Sequence, residues 1–287
     1  MNLLSIDFDF WAETGEFELL DWGFREAKFW LEDIWSIRAI DAACQGKDIR
    51  ERCKLAADEI APDLLVRHLV KELKCKVRRV ALAESHLSAY NYFSGCKDIN
   101  LVHIDAHHDM GYEPRELNCD NWLEHLINED RVRSVTLIYP KWRLRTINEW
   151  DDGHKVLDRL GDRVKIEVHY GLEHLPPKIS YEKAFICRSG AWVPPWLDSE
   201  CRSLMVLALM QFSGRGATIF TYRSIEEMFK RKVDFDQAIA QGKQLRVQME
   251  TLRVQAKEKL HANPNRHRSA ASAEGGVSQR PQSVSQP

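Results

Sequence analysis

Six short apolar runs, each bounded by polar or turn residues, are the feature that most constrains how this chain can fold. They lie at residues 3–6, 77–82, 99–104, 132–139, 164–169 and 184–187. Short runs rich in Val and Ile are typical of buried strands. Helical patterns separate most of them, at residues 24–44, 49–75, 121–128 and 149–160. This alternation predicts an α/β fold with a doubly wound, mostly parallel sheet.

The chain of 287 residues suits one such domain with appendages. We expect residues 1–223 to form the catalytic domain and residues 224–261 to form a long, charged, Gln-rich C-terminal helix. A helix of that length must pack its apolar positions on its own domain or on a second copy, so a homo-oligomer through this helix is one expectation. Residues 262–287 have almost no apolar side chains, which predicts a disordered tail.

Composition excludes several classes of protein. The formal net charge of −2 gives no overall field that would favour nucleic acid or an anionic membrane. The seven cysteines are odd in number and include no Cys-x-x-Cys pair, which argues against a zinc ribbon and a disulfide framework. No signal peptide or membrane span is evident, so a reduced, cytoplasmic protein is expected.

Candidate metal ligands follow the third apolar run. Residues 100–111 read Asn-Leu-Val-His-Ile-Asp-Ala-His-His-Asp-Met-Gly. Side chains two apart in extended backbone point the same way, so Asp105, His107 and Asp109 are expected to converge. Ala106 and His108 are then expected to face away, which is why His107 is preferred to His108 as a ligand. Simple capping of the sheet by polar residues is the alternative, but three ligand-type residues in register favour a metal or catalytic site.

Two other strands end in the same way. Asp7 and Asp9 follow the first apolar run, and His86 follows the second. Ligands of open α/β sheets bind beyond the carboxyl ends of the strands, where all three segments place their polar residues. The pooled set has four carboxylates and two imidazoles, which favours Mn(II) over a structural zinc. Four carboxylates also match the charge of two divalent ions, and such a pair activates water for hydrolysis.

These motifs resemble those of the ureohydrolase superfamily, which contains arginase and agmatinase. Its Asp-Ala-His-x-Asp motif is similar to residues 105–109, its separate histidine to His86, and its Asp-x-Asp pair to residues 7–9. The resemblance implies the three-layer arginase and deacetylase architecture. In standard arginases the Asp-x-Asp strand follows the other motifs, whereas here it comes first. The chain therefore looks circularly permuted.

Within that superfamily the chain most resembles the peptide arginases, which convert arginine side chains of ribosomally made precursor peptides to ornithine and release urea. The matching stretches are residues 6–11, 84–86, 103–109, 119–123, 139–140 and 192–198. The resemblance implies two Mn(II) ions per chain, an arginine-containing precursor peptide as partner, and a place in natural-product biosynthesis. It also implies that Asp7 and Asp105 bridge the ions, that His86 and Asp109 complete one site, and that His107 and Asp9 complete the other.

Residues beyond the ligands are less constrained by the sequence. Asp109 is expected to act in catalysis as well as in metal binding. The proton donor to the leaving amine is open among His125, His108 and His154, although a structural role is the commoner one for each. The guanidinium needs planar or anionic acceptors, for which the candidates are Glu13, Glu16, Glu84 and Asn121. Glu84 and Asn121 rank first because they lie inside the matched stretches. The stretch at residues 194–196 is either a rigid wall for a peptide or an ordinary loop.

Three other functions remain open. A small-molecule ureohydrolase would act on free arginine, agmatine or a related guanidine. A deacetylase shares the architecture but needs one zinc held by two Asp and one His, so Asp9, Asp109 and His86 would be surplus. A non-catalytic relative would bind a partner through the C-terminal helix, which the intact ligand set argues against.

Overall fold

The computed structural model describes residues 1–14, 28–111, 116–145, 153–230 and 234–262. Nine strands lie in this part of the chain: β1 (Asn2–Asp7), β2 (Ala12–Thr14), β3 (Cys53–Leu55), β4 (Lys76–Ala83), β5 (Ile99–Ile104), β6 (Val132–Tyr139), β7 (Lys165–Tyr170), β8 (Ser180–Cys187) and β9 (Thr218–Thr221). Seven of them form one sheet in the order β7-β6-β5-β1-β8-β4-β9, and every neighbouring pair is parallel. β2 and β3 form a separate antiparallel pair.

Helices follow most of the strands. They are α1 (Lys28–Cys44), α2 (Ile49–Arg52), α3 (Pro62–Arg67), α4 (Leu87–Phe93), α5 (Trp122–Asn128), α6 (Gly153–Gly161), α7 (Asp198–Ser213), α8 (Ile225–Met228) and α9 (Phe235–Ala262). A π-helical turn, His68–Glu72, extends α3. None of the helices in the described ranges combines the length and the apolar character that a membrane crossing requires.

Side chains alternate between the two faces of the sheet and build a hydrophobic core on each. Leu4, Leu82 and Ile186 lie in one core with residues of α3 and α7. Leu3, Ala81 and Phe185 lie in the other with residues of α4, α5 and α6. Because parallel strands are buried on both faces, their sequences read as continuous apolar runs. Helices on both faces make this a three-layer α/β arrangement, as the sequence predicts.

The strand register brings the carboxyl ends of the central strands level. Ile6 lies opposite Ile104, and Asp7 lies opposite Cys187. Ala83, the last residue of β4, also lies opposite Cys187. The loops that follow β1, β4, β5 and β8 therefore start side by side at one edge of the sheet.

The six predicted strands are confirmed, with small differences at their ends. The prediction of one helix over residues 49–75 is wrong. There the chain forms α2, β3, α3 and the π-helical turn, because Cys53–Leu55 pairs with Ala12–Thr14 and because Pro62 cannot continue a helix from the residues before it. Of the helices predicted over residues 24–44 and 149–160, residues 24–27 and 149–152 lie outside the described ranges.

Other elements were missing from the sequence prediction or differ from it. α4, α7, the edge strand β9 and the short strands β2 and β3 had no counterpart. The helix predicted over residues 224–261 is divided into α8 and α9, and residues 231–233 between them are not described. α9 packs on α1 through Gly242, where an added Cβ would lie 2.4 Å from the carbonyl oxygen of Ile40. The predicted tail lies outside the described ranges except at residue 262.

Candidate metal centre

The first half of the candidate centre gathers around the ring of His86, just beyond the carboxyl end of β4. Its Nδ1 lies 2.9 Å from Asp7 Oδ2, 2.9 Å from Asp109 Oδ2 and 3.2 Å from Asp105 Oδ2. All four side chains are buried. Strands β1, β4 and β5, which are distant in sequence, thus bring their predicted ligands to one point.

The second half is centred on His107. Its Nδ1 lies 2.8 Å from Asp9 Oδ2 and 3.6 Å from Asp105 Oδ1. Asp105 therefore directs one carboxylate oxygen towards His86 and the other towards His107. The two halves share this residue, and together they contain all six predicted ligands.

Local turns, rather than extended backbone, determine the orientation of the candidate ligand side chains. Asp105 Oδ1 accepts a hydrogen bond from the backbone N–H of His107 at 2.7 Å, and Asp109 has a positive φ of 54°. Asp7 Oδ1 accepts from the N–H of Asp9 at 3.0 Å in the same manner. The parity argument for residues 105–109 is thus wrong in its geometry. The preference for His107 agrees with the structure for another reason, because His108 Nδ1 accepts from the N–H of Met110 at 2.9 Å.

Hydrogen bonds from neighbouring side chains orient the candidate ligands. Ser5 Oγ is hydrogen-bonded to His86 Nε2 at 2.8 Å, which leaves Nδ1 directed at the carboxylates. The hydroxyl of Ser189 donates to Asp7 Oδ2, and Trp122 Nε1 donates to Asp109 Oδ2 at 2.5 Å. Such outer contacts fix the orientation of metal ligands.

Burial and crowding perturb the ionisation of the carboxylates. Burial, and then the charges of Asp9, Asp109 and Asp7, raise the pKa of Asp105 well above its ordinary value. Burial and the charge of Asp9 also raise the pKa of Asp7. Burial acts in the same direction on Asp109, but the facing histidines, His86 first, outweigh it and lower that pKa to about 2. Burial and mutual repulsion therefore disfavour the charged forms of Asp105 and Asp7.

In the two candidate ligand histidines the surroundings favour the charged form. Burial lowers the pKa of each ring, but the neighbouring carboxylates outweigh it, and the pKa of both His86 and His107 is raised well above the ordinary value. In the absence of an added cation, these rings are the positive charges that face the carboxylates. A divalent ion would replace their protons and leave the same nitrogens as ligands.

The donor set fits divalent cations. In one group, the ligand atoms of Asp9, Asp105 and His107 all lie within 4.8 Å of one another. A second group that meets the same limit consists of His86, His103 and Asp105. His107 Nε2 is buried and has no hydrogen-bond partner among the described residues. Buried carboxylates so close together are costly unless a cation neutralises them. Carboxylate oxygens together with imidazoles are donors that divalent transition-metal ions accept.

Two neighbours of the centre were not found from the sequence. His103 is fully buried, and its Nε2 lies 3.3 Å from Asp105 Oδ2. Cys187 belongs to a third compact group, with Asp7 and His86. The alternation of side chains along β5 could have identified His103, because His103 precedes Asp105 by two residues and shares its face of the strand with Leu101. Burial lowers the pKa of His103 to about 3, so this ring is neutral at physiological pH.

The two preferred guanidinium acceptors are occupied by the protein itself. Glu84 Oε1 accepts from Arg188 Nη1 at 3.0 Å, and Glu84 Oε2 lies 3.5 Å from Arg223 Nη1. Asn121 Nδ2 donates to the carbonyl of Glu116, and its Oδ1 accepts from the N–H of Asn118. The sequence could not show these partners, because they come from other segments. In this structure Glu84 and Asn121 hold the loops around the centre in place.

Two of the remaining candidates, His125 and Glu13, have partners of their own. His125 packs edge-on against Tyr90, with 6.3 Å between ring centroids. Glu13 Oε1 accepts from Arg145 Nη2 at 2.8 Å. Glu16 and the side chain of His154 lie outside the described part of the chain. The proton donor therefore remains a prediction.

The tryptophans of the 192–198 stretch have different surroundings. Trp196 Nε1 donates to the carbonyl of Cys53, and its ring packs against Trp35 and Phe235, which favours the interpretation of a packed loop residue. Trp192 is half-buried, and its ring centroid lies 5.2 Å from that of His107. Trp192 is thus the aromatic residue of this stretch that lies beside the metal centre.

Comparisons with protein-family models, with curated proteins and with solved structures found no match for this chain.

Proposed function

We propose that this protein is a dinuclear Mn(II) hydrolase that converts arginine side chains of a ribosomally made peptide to ornithine with release of urea. The observation that carries the proposal is the pair of ligand groups around His86 and His107, which share Asp105. The resemblance of these motifs to the ureohydrolases supplies the reaction, and the resemblance of residues 119–123 and 192–198 to the peptide arginases supplies the substrate class.

The charge of the centre suits such a reaction. Asp7, Asp9, Asp105 and Asp109 would hold the two ions, since four carboxylates balance the charge of two divalent cations. The ions, when bound, would lower the pKa of water and so supply a nucleophile at neutral pH. Trp192 offers a flat apolar surface beside His107 against which an arginine side chain could be positioned.

The order of the motifs also supports a relation by circular permutation. β1 is the first strand of the chain, yet it lies at the centre of the sheet between β5 and β8. A strand that carries Asp7 and Asp9 is needed at that central place whatever its position along the chain. We propose that the ureohydrolase sheet has been permuted in this protein so that its Asp-x-Asp strand comes first.

Urea release tests the proposal. The protein would be stripped of metal, reloaded with Mn(II), and assayed with free arginine, agmatine and an internally arginyl peptide side by side. Asp105→Asn should abolish urea release from the peptide, because it removes the shared ligand. Asp130→Asn is the matched control, since Asp130 is exposed and lies outside the centre.

Each outcome is informative. Urea from the peptide alone, lost in Asp105→Asn and kept in Asp130→Asn, supports the peptide arginase. Urea from free arginine or agmatine at comparable rates would assign the protein to the small-molecule class. Two bound Mn(II) ions per chain with no urea from any of these guanidines would contradict the reaction while leaving the metal centre.

A further inference from the structure

β9 forms one of the two edges of the sheet, and β7 forms the other. The residues of β9 pair with β4 on one side, from Arg79 opposite Thr218 to Leu82 opposite Thr221, and no described strand lies on the other side. The N–H of Tyr222 donates to the carbonyl of Leu82. Because backbone groups alternate in direction along a strand, Ile219 and Thr221 direct their N–H and C=O groups outward. An extended chain could pair with these groups.

A cavity rich in cations lies at the start of this edge. It has a volume of about 630 Å³, and Lys76, Arg78, Arg79 and Arg215 are among its lining residues. Glu182 lies 2.9 Å from Arg78 and 3.9 Å from Arg79, so one carboxylate accompanies these two guanidinium groups. The whole chain has a net charge of −2, and the positive charge here is therefore a local excess. Such an excess attracts anionic groups.

A second cavity continues along the same strand. It has a volume of about 420 Å³ and is lined by Tyr92, Lys183, Phe220 and Tyr222 together with Arg79, which also lines the first cavity. Phe220 and Tyr222 are each nearly half exposed. The β9 surface, defined as β9 with these two cavities, thus combines outward-facing backbone groups, cations and aromatic side chains.

We propose that the β9 surface docks an extended, acidic segment of the peptide substrate, which pairs with β9 as an added strand. This inference rests on the proposed function, and it names a recognition site separate from the metal centre. Addition of a strand to an open edge uses main-chain hydrogen bonds for affinity and side-chain pockets for specificity. The outward N–H and C=O groups favour a peptide over a nucleic acid, which has no backbone that could extend the sheet.

The distance to the metal centre sets a minimum spacing in the substrate. β9 lies three strand intervals from β1, which is about 14 Å at a spacing of about 4.8 Å. The cation-rich cavity lies at the opposite end of the eight-residue strand β4 from His86, which adds about 25 Å along the strands. An extended chain rises about 3.3 Å per residue. The straight-line separation is then about 29 Å, so the acidic segment should precede or follow the modified arginine by at least about nine residues.

Binding of a defined peptide to the metal-free protein tests the docking site. The probe is a fluorescent twelve-residue peptide of alternating Glu and Val, measured by anisotropy. Lys76→Glu/Arg215→Glu should weaken its binding by at least about tenfold, because two cations of the first cavity become anions. Arg163→Glu/Lys257→Glu, a matched charge reversal at exposed positions elsewhere, should leave the affinity within about twofold.

Strand pairing is tested separately. Thr221→Pro removes one outward N–H and should weaken binding about tenfold, whereas Thr221→Ala should not. Circular dichroism spectra of all variants establish that they are folded. Equal binding by every folded variant, or equal binding of a Lys/Val peptide, would overturn the proposal. Tighter binding of a twelve-nucleotide oligothymidine that displaces the peptide would assign the surface to nucleic acid instead.

Turnover separates this inference from the proposed function. A peptide with the acidic segment ten residues from its arginine should have a KM at least about tenfold lower than its Gln-for-Glu counterpart, with kcat unchanged. Urea release from both peptides with the same KM would overturn the docking site and leave the arginase reaction standing. Peptide binding that depends on the β9 surface, with no urea released from either peptide, would support the docking site and contradict the arginase reaction.

Discussion

Asp105 is the residue whose burial is most costly in the candidate metal centre. It is fully buried, it faces both His86 and His107, and its pKa is raised well above its ordinary value by burial and by three neighbouring carboxylates. A carboxyl group whose pKa is raised by folding contributes stability that is fully present below its unfolded pKa and is lost as the pH rises through the folded pKa. In the metal-free protein this loss is complete once Asp105 ionises.

Asp105→Asn should therefore stabilise the metal-free protein at neutral pH. We expect similar melting temperatures for the two proteins near pH 4, and a melting temperature a few degrees higher for the variant at pH 7, where about 1 kcal/mol corresponds to roughly 2–4 °C. Mn(II) should reverse the order, because it stabilises only the protein that binds it. Scanning calorimetry with and without Mn(II) measures both effects. A variant that is less stable at pH 7 in the absence of metal would contradict the electrostatic argument.

Arg188 is a second buried charge, and it has a structural function. Its guanidinium is held bidentately by Asp198 at 2.7 Å, by Glu84 at 3.0 Å and by the carbonyl of Met228, and it stacks on Phe229. These contacts tie the loops after β4 and β8 to α7 and α8. A buried ion pair is costly to break from one side, since the remaining charges lose their partner.

Arg188→Met should destabilise the protein by about 3–5 kcal/mol in chemical denaturation. Arg163→Met is the control, because the ion pair of Arg163 with Asp130 is exposed, and its loss should cost less than about 1 kcal/mol. Equal losses for the two variants would show that the Arg188 cluster contributes no more than a surface pair.

At the scale of elements, the contact between α1 and α9 depends on one glycine. Gly242 is buried in that contact, and an added Cβ would lie 2.4 Å from Ile40 O and 2.6 Å from Ala43 Cβ. In an exposed helix, alanine would be favoured over glycine by about 1 kcal/mol. Here the clash is with backbone, which cannot move without separating the helices.

Gly242→Ala should consequently lower the stability by about 1–3 kcal/mol in spite of its higher helix propensity. Gln241→Ala, at the neighbouring exposed position, should be neutral or slightly stabilising. Thermal denaturation of the two variants compares them, and limited proteolysis reports whether α9 has separated from α1. A gain in stability for Gly242→Ala would mean that the two helices are less closely packed than the structure indicates.

At the scale of the whole molecule, the second half of α9 extends away from the packed body. Leu245, Met249 and Leu252 follow a spacing of four and three residues and are largely exposed, although Gly242 one turn earlier is buried. This spacing is typical of a helix that pairs with another helix. These three side chains would form the contact surface of the predicted homo-oligomer.

We expect the protein to be a dimer in light scattering, and we expect Leu245→Gln/Leu252→Gln to convert it to a monomer with little change in melting temperature. Gln248→Ala/Gln255→Ala, on the same helix segment, is the control and should remain dimeric. A monomeric wild-type protein at all accessible concentrations would rule out an oligomer through this helix.

The sequence by itself determined the α/β class, six of the seven strands of the sheet and the six candidate ligands. These follow from local rules, because a strand buried on both faces must be continuously apolar and because strands of a parallel sheet end at the same edge. Asp7 and Asp105 could be selected on that basis, since each follows an apolar run directly, and His86 follows its run after three intervening residues. The division of residues 49–75 could not be foreseen, because the pairing of β3 with β2 depends on residues that are far away in sequence.

Only the tertiary structure decided which polar residues have partners and which do not. Glu84 follows its strand as Asp7 and Asp105 follow theirs, yet Arg188 and Arg223 occupy its carboxylate. His103 reads as one more residue of an apolar strand, yet it lies against Asp105. Side chains that neutralise or hydrogen-bond one another come from separate segments, and their distances are set by strand order and register. Local patterns identify the residue types that can form a metal centre, whereas packing determines which of them remain available to bind a metal ion or a substrate.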